Sequence, residues 1–255
     1  MRYVPMVAAR LAERGGRVIL VVQDPLHPLL SAVPGVSLCL AKSSIANESP
    51  AFDMHCPICS LPLFFPWSLD TIPSPYLPPP DQGRVRTWEY RLGSHDKLRI
   101  GLTWSGNPAH HNDHNRSIPL RMFAALLDVD ATFVSLNKDP NDDDKPALQE
   151  SRIVDLTAHL TDFAETAALV SCLDLVITVD TSVAHLAAAL ARPAWILLPY
   201  TPDFRWLLDR DDSPWYPTTK LFRQDESRDY ASVLKRVQDE LEARIAAFRP
   251  EPLPR

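Results

Sequence analysis

Carboxylate, hydroxyl and imidazole groups crowd the start of one alanine-rich stretch, VDTSVAHLAAALARP at 179–193. The apolar run DLVITV (174–179) just before it reads as a buried strand, and SVAHLAAALA (182–191) as a helix. Asp180, Thr181 and Ser182 therefore fall where a strand's carboxyl end meets a helix N-terminus. Unpaired backbone N–H groups and the positive end of the helix dipole converge there, an arrangement that favours phosphate. His185 lies one turn in and can lean back toward the mouth. Ordinary capping and a hydrogen-bonded core histidine would give the same letters, so spacing alone leaves both readings open.

A second cluster, SGNPAHHNDHNRSIP (105–119), follows the apolar run LRIGLTW (98–104) and precedes a helical pattern. His110, His111 and His114 invite a zinc reading, but no further ligand stands at fixed spacing, and Asn112, Asp113 and Asn115 suit a turn. No metal is expected. Arg116 is placed to reach a diphosphate, or to stand solvated. Asn107 and His110 are candidate substrate contacts. A third cluster, PYTPDFRWLLDRDDSPWYP (199–217), follows the run AWILLP and adds Asp203 and Arg205 to the candidates. Its Trp206 suits packing under a long loop better than stacking on a ligand.

The elements that must position these residues alternate. A helix is expected over 3–14, strands at 17–23 and 37–41 with a short helix from His27 between them, and a third strand at 52–58. Prolines at 73, 75, 78, 79 and 80 make 66–81 an extended joint. A second alternation follows: strands at 98–104, 131–137, 153–156, 174–179, 194–199 and 220–224, and helices at 118–129, 161–173, 182–191 and 229–248. Asp162 and Glu165 have capping-box spacing. Such alternation gives parallel sheets covered on both faces, with ligands at the strands' carboxyl ends. The division expected is an N-terminal Rossmann-like domain over 1–92 and a C-terminal one over 95–255.

Composition narrows the function classes. The chain has 255 residues and a net charge of −6 with interleaved signs, which does not indicate a nucleic-acid surface. No apolar run is long enough to span a membrane and no secretory leader is evident, so the expected location is cytoplasmic. There are 4 cysteines, too few for a disulfide scaffold, and HCPIC carries a lone CxxC read as buried strand-end cysteines. With 7 glycines and neither GxGxxG nor GxxxxGK[ST], classical dinucleotide and P-loop readings lose their support.

DTSVAHLAAALARP resembles the donor-site signature of heptosyltransferase-type glycosyltransferases of the GT-B fold. GLTWSGNPAHHNDHNRSIPL, DLTAHLTDFAETAALVSCLDLVITVDTSVAHLAAAL and PDFRWLLDRDDSPWYPTTKLFRQ are similar to the catalytic half of bacterial tetratricopeptide-repeat glycosyltransferases. The resemblance implies an α/β, GT-B-like architecture of two facing Rossmann-like domains. It implies a nucleotide-sugar donor with Asp180, Thr181, Ser182, His185 and Arg116 around its diphosphate, the 155–163 segment near the nucleoside, and a last helix crossing back to the first domain. It also implies transfer to a hydroxyl of a glycan, protein or small molecule, with inversion and without metal or other cofactor. Two departures stand out: Ser182 replaces the usual glycine of the signature, and the family's N-terminal first strand and glycine-rich turn have no counterpart. The first domain is therefore expected to be incomplete and the general base is not assigned. The alternatives are a nucleotide-binding remnant without turnover, and a metal-dependent hydrolase using the histidine loop.

Overall fold

The computed structural model describes residues 4–45, 50–64 and 76–249. The first unit contains helix α1 (Val4–Glu13), strand β1 (Ile19–Val22), helix α2 (His27–Leu30) and strand β2 (Leu38–Ala41). β1 and β2 pair in parallel, Ile19 opposite Leu38 and Val22 opposite Ala41. Gly35 ends the turn after α2 with φ +83°, and a Cβ there would meet the Ala8 and Ala9 backbone at 2.5–2.6 Å. Only glycine lets that turn lie so close to α1.

The expected strand at 52–58 is absent. That stretch is irregular and gives way to 3-10 turns over Ile58–Phe64. Phe52 and Met54 are exposed, and so are Cys56 and Cys59, which corrects their reading as buried strand-end cysteines. The apolar letters had suggested a strand, but no partner strand takes up its backbone groups. Most of the proline-rich joint lies outside the described residues.

The second unit begins with helix α3 (Gln82–Leu92), then strand β3 (Arg99–Thr103), the single helical turn α4 (Asp113–Arg116), helix α5 (Ala124–Leu127) and strand β4 (Thr132–Ser135). Helix α6 (Lys145–Glu150), helix α7 (Phe163–Ser171), strand β5 (Leu175–Val179), helix α8 (Ser182–Ala189), strand β6 (Ala194–Leu198), strand β7 (Thr219–Arg223) and helix α9 (Tyr230–Ala247) complete it. The five strands are all parallel, in the order β4-β3-β5-β6-β7. Val154 adds one parallel bridge beside Val134, so the expected strand at 153–156 shrinks to a single pair. With that bridge the sheet follows the doubly wound order, whose direction reverses between β3 and β5. The helix expected over 118–129 divides into a 3-10 turn at Leu120–Phe123 and the α-helical turn α5, 4 residues each.

Every residue of β3, β5 and β6 is buried, which fits their continuous apolar sequences and helices on both faces. One core face joins Ile100, Leu102, Ile177, Val179 and Leu197 to the buried side of α9: Tyr230, Val233, Leu234, Val237 and Leu241. Ile245 and Phe248 pack on the same cluster. The buried side chains of α9 thus all belong to the core of this sheet. The opposite face carries α7 and α3, with Trp88 fully buried. Arg99, 1% exposed, fastens α3 to β3 by donating to Glu89 at 2.5 Å and to the Gly93 carbonyl at 2.7 Å.

The first unit's core is not its own. Val4, Leu20, Val22, Leu29, Leu30 and Val33 share one cluster with Ala167 of α7 and Leu186 of α8. Docking onto these two helices supplies the burial that a two-stranded sheet lacks.

Candidate functional site

The loops that follow β3 and β5 meet at the point where the strand order reverses. Arg116 of α4 donates through Nη1 to the Asp180 backbone carbonyl, at 2.8 Å across 64 positions of sequence. Its Nε donates to Asp113 Oδ1 at 3.0 Å, and the Ser117 hydroxyl donates to Asp113 Oδ2 at 2.9 Å. The Gly106 N–H donates to the Ser117 hydroxyl at 3.0 Å. A Cβ on Gly106 would lie 2.5 Å from both Arg116 and Asp113, so the guanidinium–carboxylate pair uses the space that glycine leaves. The base of the loop is anchored by Asn137, whose Oδ1 accepts from the Trp104 and Ser105 N–H groups. Buried Asp144 accepts from the Trp104 indole at 3.0 Å and from the Leu120 N–H at 2.9 Å.

Asp180 directly follows β5 and is buried, with a side chain 11% exposed. Burial raises its pKa above the ordinary carboxylate value, although the Trp206 indole and the Arg205 and Arg116 guanidiniums pull the other way. Thr181 is the N-cap of α8 in extended conformation, and its side chain does not cap the helix. Its hydroxyl lies 3.2 Å from that of Thr178. Ser182 is exposed at the helix mouth. His185 does lean back: its Nε2 is 3.9 Å from Asp180 Oδ1, and its Nδ1 is 3.1 Å from the Tyr216 hydroxyl. The imidazole stacks on Trp206 with centroids 5.0 Å apart and planes 10° apart.

Trp206 packs, as its sequence context suggested, among Ala184, Ala188, Ile196 and Leu198. The loop that presents it takes unusual backbone conformations, φ +55° at Leu207 and +54° at Asp209. Arg223 holds that loop by donating to the carbonyls of Trp206, Leu207 and Arg210. Asp203 and Arg205 form an ion pair at 2.6 Å, and Asp203 also accepts from the Arg205 N–H. Asp203 lowers below its ordinary range and Arg205 rises, as expected for partners; burial opposes both shifts.

Ser182, His185 and Arg205 face a cleft of about 780 Å³ between the two units. Gln23, α2, Ile58, Tyr76, Leu77 and Phe163 of α7 line it as well.

The structure therefore gathers Arg116, Asp180, Thr181, Ser182, His185, Asp203 and Arg205 around one helix mouth. It does not bring Asn107 and His110 there: both are exposed, Asn107 accepts from the Ala109 N–H, and His110 stacks on His111 at 4.7 Å. Sequence reasoning missed Gly106, Asp113 and Tyr216. The i,i+3 spacing of Asp113 and Arg116 was a usable signal for that pair. Nothing local marked Tyr216. Glu165 does not complete a capping box: it accepts from the Trp88 indole at 2.8 Å and pairs with Arg84, while Asp162 alone caps α7. Among the described residues no cluster of three or more His, Cys, Asp or Glu side chains could hold a metal ion. No described helix is long and apolar enough to cross a membrane.

Comparison with known proteins bears on this geometry. Residues 140–236 match the model of glycosyltransferase family 9 (heptosyltransferase), a span that includes β5, α8 and the 199–217 loop but not Arg116. No curated protein matches the chain. Among solved structures, the E. coli ADP-heptose LPS heptosyltransferase II is similar over 97% of this chain and 95% of that one, with TM-score 0.58 and 16% identity. A glycosyl transferase family 9 structure from Veillonella parvula DSM 2008 is similar over 97% and 94%, with TM-score 0.61 and 13% identity. At these identities the likeness establishes the fold: α/β, with parallel sheets, of the GT-B kind seen in heptosyltransferases.

Proposed function

We propose that the protein is a glycosyltransferase that moves a sugar from a nucleotide-diphosphate-sugar to an acceptor hydroxyl. The observation that carries this reading is the junction of the β3 and β5 loops: Arg116 is tied to the Asp180 carbonyl beside the uncapped N-terminus of α8, on the rim of the cleft. The family match over 140–236 and the fold support it.

In this reading the donor diphosphate lies over the α8 N-terminus, where backbone N–H groups, Thr181 and Ser182 donate to it. Arg116 and Arg205 bring positive charge. Asp180 acts through its backbone carbonyl, which holds Arg116, and through a side chain 3.9 Å from His185 Nε2. The nucleoside extends toward Phe163 and the 155–163 segment. The acceptor oxygen bonds to the anomeric carbon as the sugar–phosphate bond breaks, with inversion. The diphosphate leaves with the electron pair, and the acceptor proton passes to a base. Helix terminus and guanidiniums stabilise the charge that develops on the leaving group, so no metal is required. The reaction takes place in the cytoplasm, where nucleotide sugars are made.

One observation favours a second reading, nucleotide binding without turnover: among the described residues, the first unit brings no carboxylate to the cleft that could serve as general base. Calorimetric titration with UDP, GDP, ADP and CMP and their sugars, with and without EDTA, tests the main reading. Selective, EDTA-insensitive binding of one nucleotide is expected. Folded protein that binds none of them overturns the site. Binding without transfer or donor hydrolysis would instead favour the second reading.

A further inference from the structure

The two walls of the cleft differ in chemistry. The α8 side sets the hydroxyl, imidazole and guanidinium groups of Ser182, His185, Arg205 and Tyr216 beside Leu186, Phe204 and Trp215. The wall from the first unit presents Leu26, Leu29, Leu30, Val33 and Ile58, with Gln23 and Cys59 its polar members and no charged residue among those described; Tyr76 and Leu77, whose N–H groups donate to the Ala189 carbonyl of α8, line the cleft as well. A sugar acceptor would set several hydroxyls against aliphatic carbon there. Each hydroxyl buried without a hydrogen-bond partner opposes binding. A ligand with an apolar body gains from the same contact in proportion to the apolar surface covered. The volume, about 780 Å³, lies within the range of pockets that enclose small organic ligands.

We propose that this wall binds the apolar body of the acceptor, which is a hydroxylated aromatic or aliphatic compound, a phenol or alcohol, rather than a polyol glycan. The inference rests on the transfer reading only in calling the occupant an acceptor. The apolar body lies against α2 and Leu77, and its hydroxyl points across the cleft toward the α8 mouth.

The test titrates the full chain by calorimetry with 1-naphthol and, separately, with maltose, alongside the nucleoside diphosphates. Saturable binding of 1-naphthol and none of maltose is expected. Leu26 and Leu77 are half-buried at the edge of the first unit's cluster, so a thermal melt of Leu26→Gln and Leu77→Gln first checks that each variant folds. Each should weaken 1-naphthol at least fivefold and leave nucleotide affinity unchanged. Equal 1-naphthol affinity in both variants, or preference for maltose, overturns the proposal. Should a variant fail to fold, the wild-type chain supplies a second measurement. Cys59 is exposed and lines the cleft, whereas Cys56 is exposed outside its lining. 1-Naphthol should slow N-ethylmaleimide labelling of Cys59 relative to Cys56, and unchanged labelling overturns the proposal. Nucleotide binding without 1-naphthol binding defeats this inference alone. 1-Naphthol binding without any nucleotide defeats the transfer reading and leaves the apolar site standing.

Discussion

Helices α7 and α8 pack side by side and have similar lengths, 9 and 8 residues, yet their N-termini are finished in opposite ways. α7 is closed by its own carboxylate: Asp162 accepts from the Ala164 and Glu165 N–H groups at 2.8 and 2.9 Å. Asp81 caps α3 and Asp229 caps α9 in the same manner. α8 has Thr181 at that position, with no side-chain cap and an exposed Ser182 after it. A carboxylate cap satisfies the helix N–H groups and also repels other anions. Leaving it out keeps those groups available to a phosphate. The difference teaches that α7 closes its own end for stability, whereas α8, next to Arg116, leaves open the end that the proposed function gives to the donor diphosphate.

Giving α8 the kind of cap α7 has is the sharpest way to break the comparison. Thr181→Asp should stabilise the free protein by about 1 kcal/mol, the usual worth of a carboxylate cap. The same change should weaken nucleoside diphosphate binding on the order of a hundredfold, because a fixed negative charge then occupies the phosphate position. Thermal melts and calorimetry on one preparation would read both effects. Higher stability with unchanged affinity would mean that the open end of α8 has no ligand.

Arg116→Ala comes next. Losing a charge-assisted contact should cost about 1–3 kcal/mol of nucleotide affinity. Gly106→Ala should follow in the same direction without touching the charge, since its Cβ would displace the Arg116–Asp113 pair. Full affinity in both variants would separate the β3 loop from the site. Asp162→Ala sharpens the comparison from the other side. It should destabilise the fold by about 1 kcal/mol in a denaturant titration and leave nucleotide affinity alone.

What the sequence disclosed follows from the range of the interactions involved. The strands β3, β5 and β6 and the buried stripe of α9 were legible because periodicity is local. So was Asp162, whose partners lie two and three residues on. The strand misread at 52–58 failed for the opposite reason: a strand exists only with a partner, and apolar letters do not name one. The site was half legible. Its residue types and their place at strand ends could be read, but the Arg116 contact with the Asp180 carbonyl and the Tyr216 contact with His185 join residues 64 and 31 positions apart. The same distance dependence explains Asn107 and His110, which share a loop with Arg116 and yet face solvent.

The smallest expected effect concerns Asp180, where the receiving end of α8 conflicts with stability. Burial raises the pKa of this carboxyl in the folded chain above the value of 3.8 it has when solvated. The folded state therefore holds the proton more tightly than the unfolded state. Any stability gained from this is complete below pH 3.8 and is lost as pH rises through the folded pKa. Asp180→Asn removes the titration and keeps the backbone carbonyl that Arg116 grips. The variant should melt close to the wild type at the acid end of that window and above it at neutral pH, with the gap opening as Asp180 ionises. A variant that melts lower at neutral pH would show that the ionised carboxylate, through His185 and Arg205, returns more than its burial costs. Asp180 would then belong with Asp162 as a stabilising group, and the division between a helix built for the fold and one built for a ligand would fail at that residue.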